Sequence, residues 1–503
     1  IGITIDAEEA DRLELSLDII EAVFSDASLT GYEGFGLAVQ AFQKRGLGVI
    51  EWLEALAQKV GRKLAVRLVK GAYWDTEVKR SQEQGLSGYP VFTRKANTDV
   101  AFLACARRLI SRRDVFYPML ATHNAHTVAQ VRAYAANDEG YEFQRLHGMG
   151  EALYEVVKQD LPIPCRVYSP VGSHEDLLPY LVRRLLENGA NTSFVNRIFD
   201  EATPPETLVA DPIAAVRAMS VKVNPQLPLP AELYGAERRN SSGLFLTSEP
   251  ELVALAAALD KENGHSLAGG NPGIASTLAN TQLDSRLRGN DSEASHTHLI
   301  TNPANRKEVL GQWQALPVAL VPEVVSAAKA AQARWNATPA DSRAATLERA
   351  ADRLEAAPAV FINLLVREAG KTLGDANAEV REAVDFLRYY AAQARRLMSA
   401  PTTLPGPTGE HNELQLHGKG VFVCISPWNF PLAIFVGQIA AALVAGNAVI
   451  AKPAEQTNLV AHAMTALLHE SGVPIGVLQL ALGDGLVGGA LVAAEHIAGV
   501  AFT

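Results

Sequence analysis

From Gly420 to Ala451 the chain carries no charged side chain (GVFVCISPWNFPLAIFVGQIAAALVAGNAVIA), and this stretch limits the possible folds more than any other. Its length alone would allow a membrane span. Pro427, Asn429 and Pro431 interrupt its first half and Gln438, Gly446 and Asn447 punctuate its second, so each remaining piece is too short to cross a bilayer. The pieces read as a strand (VFVCIS), a turn (SPWNFP), a helix (IFVGQIAAALVAG) closing at Gly446, and a second strand with its exit loop (AVIAKPAEQT). A run this apolar belongs inside an α/β unit covered on both faces.

The first part of the chain has a different rhythm. Up to about residue 200, strand-like runs (TIDAEE, GLAVQAF, LAVRLVKGAY, PMLATHN, EFQRLHGM, CRVYSPVG) alternate with helical segments. This predicts a βα barrel, with six of its strands legible and about two missing. Chemistry in such a barrel gathers at the C-terminal strand ends, where Asp6, Gln40, Lys70 to Trp74, His123, Asn124, His147 and Tyr168 fall. Residues 201–298 form a connecting segment, rich in Gly, Ser, Asn and Asp from 261 onward. From 299 a helical entry leads into the uncharged stretch, with Thr338 and Pro339 suited to the N-cap and first turn of one helix. The chain begins without Met inside a strand-like run and without a signal-peptide pattern, as expected of one that starts within a domain.

Composition narrows the function classes. With 45 basic and 55 acidic residues the net charge is −10, so no global field favours nucleic acid or an anionic membrane, and any nucleotide must be gripped locally. The three cysteines, Cys105, Cys165 and Cys424, stand far apart and in no metal-ligand spacing, which argues against a disulfide framework or a metal site and for a reducing, cytoplasmic compartment.

Two constellations carry chemistry. In LAVRLVKGAY, period-2 alternation puts Arg67 within an apolar strand, where a guanidinium needs either an anionic ligand or a structural salt bridge. The strand runs on into Gly71, Tyr73 and Trp74, a setting that invites a planar ligand. In DLLPYLVRRLLENGA, apolar residues at 177, 178, 181, 182, 185 and 186 predict a buried stripe, with Arg183 and Arg184 off it, either solvated or converging on one carboxylate. In the later half, Asn429 sits between Trp428 and Phe430 in a proline-stiffened loop, where its amide can donate to an oxyanion or simply serve the turn. Lys452 and Glu455, just past a strand, can hold ribose hydroxyls or can be ordinary exposed charges. Gly483-Asp484-Gly485-Leu486-Val487-Gly488 spells G-x-G-x-x-G but reads as a packing turn, because no distal acidic residue completes a dinucleotide unit.

The ordered runs RLVKGAYWD, YPVFTRKANTD, LATHNAHT, FQRLHGMGE, RVYSPVG and YLVRRLLENGANTSFVNR resemble the proline dehydrogenase barrel of the bifunctional proline utilization flavoenzymes. The resemblance implies FAD over the strand ends, accepting hydride from proline to leave Δ1-pyrroline-5-carboxylate. It implies Arg183 and Arg184 on the proline carboxylate, Tyr73 and Tyr168 walling the ring, and Asp6 at the substrate pocket. Around FAD it implies Gln40, Arg67, Val69, Gly71, Ala72 and Trp74, with Thr93, Thr122, His123, Asn124 and Glu187. His123 is then a flavin contact, with a structural histidine as the other reading.

The runs VREAGKTL, EVREAVDFLRYYA, ISPWNFPLAIFVGQIAAALVAGN, KPAEQT and GVPIGVLQLALGDG resemble an aldehyde dehydrogenase, most closely the semialdehyde dehydrogenase half of the same enzymes. This implies NAD around Ile425, Ser426, Pro427, Trp428, Lys452 and Glu455, with Asn429 in the oxyanion hole. The family's Phe-Thr-Gly-Ser loop stops here at Phe502-Thr503, so its later catalytic glutamate and cysteine are not among these residues, and Cys424, inside a strand, is not a substitute. The expectation is a partial (βα)8 barrel at 1–200, a connection at 201–298 and the first part of a Rossmann-like NAD-binding domain at 299–503. A catalytically silent nucleotide-binding scaffold built on these domains is the alternative. For the parent enzyme the resemblance further implies L-proline as substrate, quinone as electron acceptor, peripheral contact with the inner membrane face and a homo-oligomer. No nucleic-acid-binding domain is legible in these residues.

Overall fold

The computed structural model describes residues 2–137, 139–160, 162–189, 210–267 and 297–503, excepting the side chains of 160, 183–189 and 263–267. They form two compact units, Ile1–Glu83 with Gly88–Leu229 and Gln84–Ser87 with Pro230–Thr503. The division between Leu229 and Pro230 falls inside the segment expected to connect the halves.

In the first unit six strands, β1 (Ile3–Ile5), β2 (Phe35–Gln40), β3 (Leu64–Val69), β4 (Phe116–Ala121), β5 (Glu142–Leu146) and β6 (Cys165–Tyr168), lie parallel and in chain order in one sheet. The helices between them are α1 (Leu13–Phe24), α2 (Gly46–Val60), α3 (Trp74–Glu83), α4 (Lys95–Ser111), α5 (Ala125–Ala135) and α6 (Glu151–Asp160). These are the six strands expected, in the sequential parallel order of a partial βα barrel. Strand β3 shows how alternation sorts its faces. Leu64, Val66 and Leu68 are fully buried against Ile50 and Leu53 of α2 and Phe102 and Leu109 of α4, while Ala65, Arg67 and Val69 face the other side and stay partly open.

Beyond β6 lies α7 (His174–Gly189), and here an expectation fails. Of its predicted buried stripe, Leu178, Leu181 and Val182 lie on the surface, at 51%, 57% and 47% exposure, and Leu177 is half-buried. The physical reason is the open sheet: among the described residues β6 pairs only with β5, so no following strand or helix covers the apolar face of α7. A short helix, α8 (Pro212–Ala218), completes the unit.

The second unit opens with α9 (Glu249–Leu267), which continues into the stretch from 261 that had read as a linker; most of the remainder of that stretch, 268–296, lies outside the described residues. An antiparallel pair follows, β7 (Thr297–Asn302) and β8 (Asn305–Gln314). Four helices come next, α10 (Val321–Asn336), α11 (Ala340–Ala356), α12 (Pro358–Arg367) and α13 (Leu373–Met398), then a second antiparallel pair, β9 (Thr402–Leu404) and β10 (Asn412–Leu414). Pro339 sits at the N-cap of α11, not in its first turn, and Thr338 does not cap it. The Thr338 hydroxyl donates backward to the Arg334 carbonyl instead, and Pro339 itself takes the extended backbone of the N-cap.

The uncharged stretch folds as read: β11 (Val421–Ile425), a turn, α14 (Ala433–Val444) and β12 (Ala448–Lys452). After it come α15 (Asn458–Glu470), β13 (Leu478–Leu480), α16 (Gly485–Ala493) and β14 (Ile497–Phe502). The strands form a parallel sheet in the order β13-β12-β11-β14. No helix among the described residues is long and apolar enough to cross a membrane.

Ionisable side chains on the entry helices fix both ends of α14 and α15. Buried Glu379 of α13 accepts from the backbone N–H groups of Leu432 and Ala433 at the start of α14, and buried Glu368 accepts from those of Leu459 and Val460 at the start of α15. At the far ends, Arg343 donates to the Val444 carbonyl and Arg349 to that of Ser471. Acids at N-termini and guanidiniums at C-termini complement the helix dipoles and satisfy the end groups a helix leaves unpaired.

Candidate functional site

The C-terminal ends of β1, β2 and β3 converge on a polar cluster. Asp6, one residue past β1, forms an ion pair with Arg67 of β3, whose side chain is only 17% exposed. Arg67 therefore has the structural partner that one reading demanded, yet its Nε is buried with no hydrogen bond. Gln40, the last residue of β2, donates from Nε2 to the Glu8 carbonyl at 2.7 Å, while its Oε1 is likewise buried and unpartnered. A donor and an acceptor are thus left over at one strand edge. Buried polar atoms are normally satisfied, so this edge suits a polar planar ligand.

The turn after β3 brings the backbone close. Gly71 has φ +124°, and a Cβ there would lie 2.4 Å from the Phe42 ring, so only glycine fits. Tyr73, with φ +65°, is one of three non-glycine residues with positive φ among the described residues, local strain of the kind that gathers at functional sites. Val69 and Ala72 flank this turn, and Trp74 opens α3 with its indole N–H donating to the Phe92 carbonyl at 2.8 Å. Thr93 accepts from the Asn224 backbone N–H.

Past β4, the Thr122 hydroxyl accepts from the Asn124 N–H, and Asn124 caps α5 by accepting from the Thr127 N–H. His123 Nε2 accepts from the Leu146 N–H at 3.1 Å, which commits that nitrogen to the β4–β5 connection. Tyr168 ends β6 with its ring 6.1 Å from that of Tyr180 on α7. Arg183, Arg184 and Glu187 follow on the same helix; their side chains lie outside the described residues.

The second unit carries its own edge. Ile425 ends β11, and buried Ser426 donates its N–H to the Lys452 carbonyl at 3.1 Å while its Oγ has no partner. Lys452, which could have been an ordinary exposed charge, is 5% exposed. Burial pushes its ammonium down, opposed by Glu455 and Asp484. Its Nζ donates to the Pro453 carbonyl and lies 4.0 Å from Glu455 Oε2. The G-x-G-x-x-G segment starts α16, where Asp484 accepts from the Leu486 and Val487 N–H groups. A Cβ at Gly488 would stand 3.3 Å from Lys452 Cδ, so that glycine makes room for the lysine stem. Pro427 begins the turn in which Trp428, Asn429 and Phe430 are all exposed.

Sequence reading missed the residues behind this loop. Lys371 lies 2.7 Å from Glu379 and sits over the Phe430 ring, 4.3 Å from its centroid. The signal was present in VREAGKTL: Gly370 takes a positive φ that aims Lys371, and Thr372 caps α13.

Two family models match the chain, one in each unit. The proline dehydrogenase family model matches residues 1–197, and the aldehyde dehydrogenase family model matches residues 290–503. Residues 1–197 are thus similar to proline dehydrogenases and residues 290–503 to aldehyde dehydrogenases, and over its whole length the chain is similar to bifunctional proline utilization proteins. It is 49% identical, over its whole length, to 37% of the bifunctional protein PutA of Klebsiella aerogenes. A solved structure of proline utilization A with proline bound in remote sites is 50% identical, with a TM-score of 0.86, covering 100% of this chain and 47% of that one. The 1-pyrroline-5-carboxylate dehydrogenase of Anoxybacillus flavithermus is 42% identical over 37% of this chain and 36% of its own. The chain thus spans a little over a third of the length of the curated bifunctional relatives it matches.

Proposed function

We propose that the first unit binds FAD and oxidises L-proline to Δ1-pyrroline-5-carboxylate. In the full-length enzyme of which this chain is a part, the second unit binds NAD for oxidation of the resulting glutamate semialdehyde to glutamate. The observation that carries the first half is the unspent donor and acceptor of Arg67 and Gln40 beside the crowded Gly71–Tyr73 turn. FAD would supply the hydride acceptor there and NAD the second one. Gln40, Arg67, Val69, Gly71, Ala72 and Trp74 line the edge that fits the flavin, with Thr93, Thr122, His123, Asn124 and Glu187 around it and Asp6 at the substrate pocket. With Nε2 accepting from a backbone N–H, His123 serves as a contact and not as a base. Arg183 and Arg184 hold the proline carboxylate by paired forks, and Tyr73 and Tyr168 exclude water from the ring faces.

In the second unit the unpartnered Ser426 Oγ and the desolvated Lys452 support nucleotide binding, with Glu455 beside the lysine and Ile425, Pro427 and Trp428 forming the edge. Asn429 donates to the oxyanion. We further propose quinone as the flavin's electron acceptor, a homo-oligomer, and a cytoplasmic protein that touches the inner membrane face peripherally. The test is purification of the full-length protein. A flavin absorption band with proline-dependent dye reduction is expected, and absence of both would refute the reading in favour of a silent scaffold.

A further inference from the structure

We propose that Lys371 and Glu379 are positioning residues that clamp the exit of the Trp428–Asn429–Phe430 loop, so that the Asn429 amide is held where an aldehyde oxygen gains charge. The inference rests on the aldehyde-oxidising reading of the second unit.

The loop cannot be held by burial of its own aromatic residues, since Trp428 is 59% and Phe430 40% exposed. Fixed points have to come from behind it. Glu379 Oε1 accepts from the Leu432 and Ala433 N–H groups at 2.8 and 3.2 Å, which pins the backbone where the loop becomes α14. Its other oxygen meets Lys371 Nζ at 2.7 Å, and the same ammonium stands 4.3 Å from the Phe430 ring centroid. One cation therefore joins the buried carboxylate to the residue next to Asn429, through an ion pair on one side and a cation–π contact on the other. The Glu379 side chain is fully buried and Lys371's nearly so. Burying a charged pair is costly, and apolar residues of similar volume would serve packing alone at least as well. A cation reaching from the carboxylate to the ring of Phe430 does what an apolar pair cannot: it sets the direction in which the exposed loop leaves the helix. The turn is built to aim it, with Gly370 at φ +70° immediately before Lys371 and Thr372 capping α13 immediately after.

The test compares Lys371→Met, Lys371→Arg and Glu379→Gln in the full-length enzyme, with backbone hydrogen exchange over residues 428–433 followed in the 503-residue chain. Lys371→Met should lower kcat for semialdehyde oxidation by about tenfold to a hundredfold, the scale of a misplaced catalytic group, with KM for NAD unchanged. Exchange should accelerate in the loop alone. Lys371→Arg should restore both, and Glu379→Gln, which keeps an acceptor for the N–H groups but loses the charge, should fall between. An unchanged kcat in Lys371→Met, or a loss that arginine does not rescue and that follows the unfolding midpoint, overturns the clamp. A wild-type enzyme that makes no NADH from the semialdehyde overturns the functional reading instead, and the exchange comparison then decides the clamp independently.

Discussion

The reactivity of each cysteine is set by where the fold puts it. Cys105 and Cys424 are buried, and desolvation pushes both thiols up to about 12, so neither supplies thiolate at neutral pH. Cys165, at the start of β6, is only partly buried, and burial raises it less completely because Arg145 and Lys158 oppose the shift. Iodoacetamide under native conditions is therefore expected to modify Cys165 before the other two, as read by peptide mass spectrometry. Preferential labelling of Cys424 would contradict its place inside β11. The same accounting explains Arg67 and Lys452. Arg67 was visible as a charge within an apolar strand and Lys452 as one just past a strand, but only the structure shows that Arg67 meets Asp6 across β1 and β3 and that Lys452 lies in a slot opened by Gly488. Those partners are 61 and 36 positions away in the chain, beyond the reach of any local pattern.

At the scale of elements, the uncharged strand–turn–helix–strand run and the six barrel strands were legible because period-2 alternation and proline or glycine punctuation are local. The α7 stripe was legible as a helix but not as a surface, since exposure depends on a neighbouring strand that alternation cannot report. Helix α15 shows how an element acquires a pH dependence. His462 and His469 lie on it, and burial pushes both below the ordinary histidine value of 6.5, with their mutual repulsion adding to the shift at His462. Around His462 lie Asn458 and Thr465 on its own helix, while Glu368 from the chain end of α12 holds the helix start; Glu368 is itself pushed up to about 8 by burial. A histidine with a lowered folded pKa binds fewer protons folded than unfolded between that pKa and 6.5. Its contribution to stability is complete above pH 6.5 and is lost as the pH falls. Glu368, raised to about 8, contributes the opposite slope over the same range, so the histidine is read by difference: from pH 7 to about pH 5 the urea midpoint of His462→Gln should fall less, or rise more, on acidification than that of the wild type. An unaltered slope would show that the histidine titrates normally.

For the whole molecule, net charge and composition set only the class: a globular chain whose anionic ligands must be gripped by a few placed cations. Because the two edges are built from separate units, their ligands should bind independently. Lys452→Met is expected to weaken NADH binding, measured by fluorescence energy transfer from tryptophan, by about tenfold or more while leaving the flavin band of the full-length protein unchanged. Loss of flavin in that variant would refute two self-contained sites. What the sequence determined by itself was every feature written in neighbouring residues: the alternation of the barrel, the broken apolar run, the turn glycines and the candidate cations. What tertiary structure alone decided was which of those charges face each other, which acids and arginines close the ends of α14 and α15, and which apolar stripe stays uncovered. Partnership of that kind is a property of strand order and helix packing, and it brings together residues that no short-range periodicity connects.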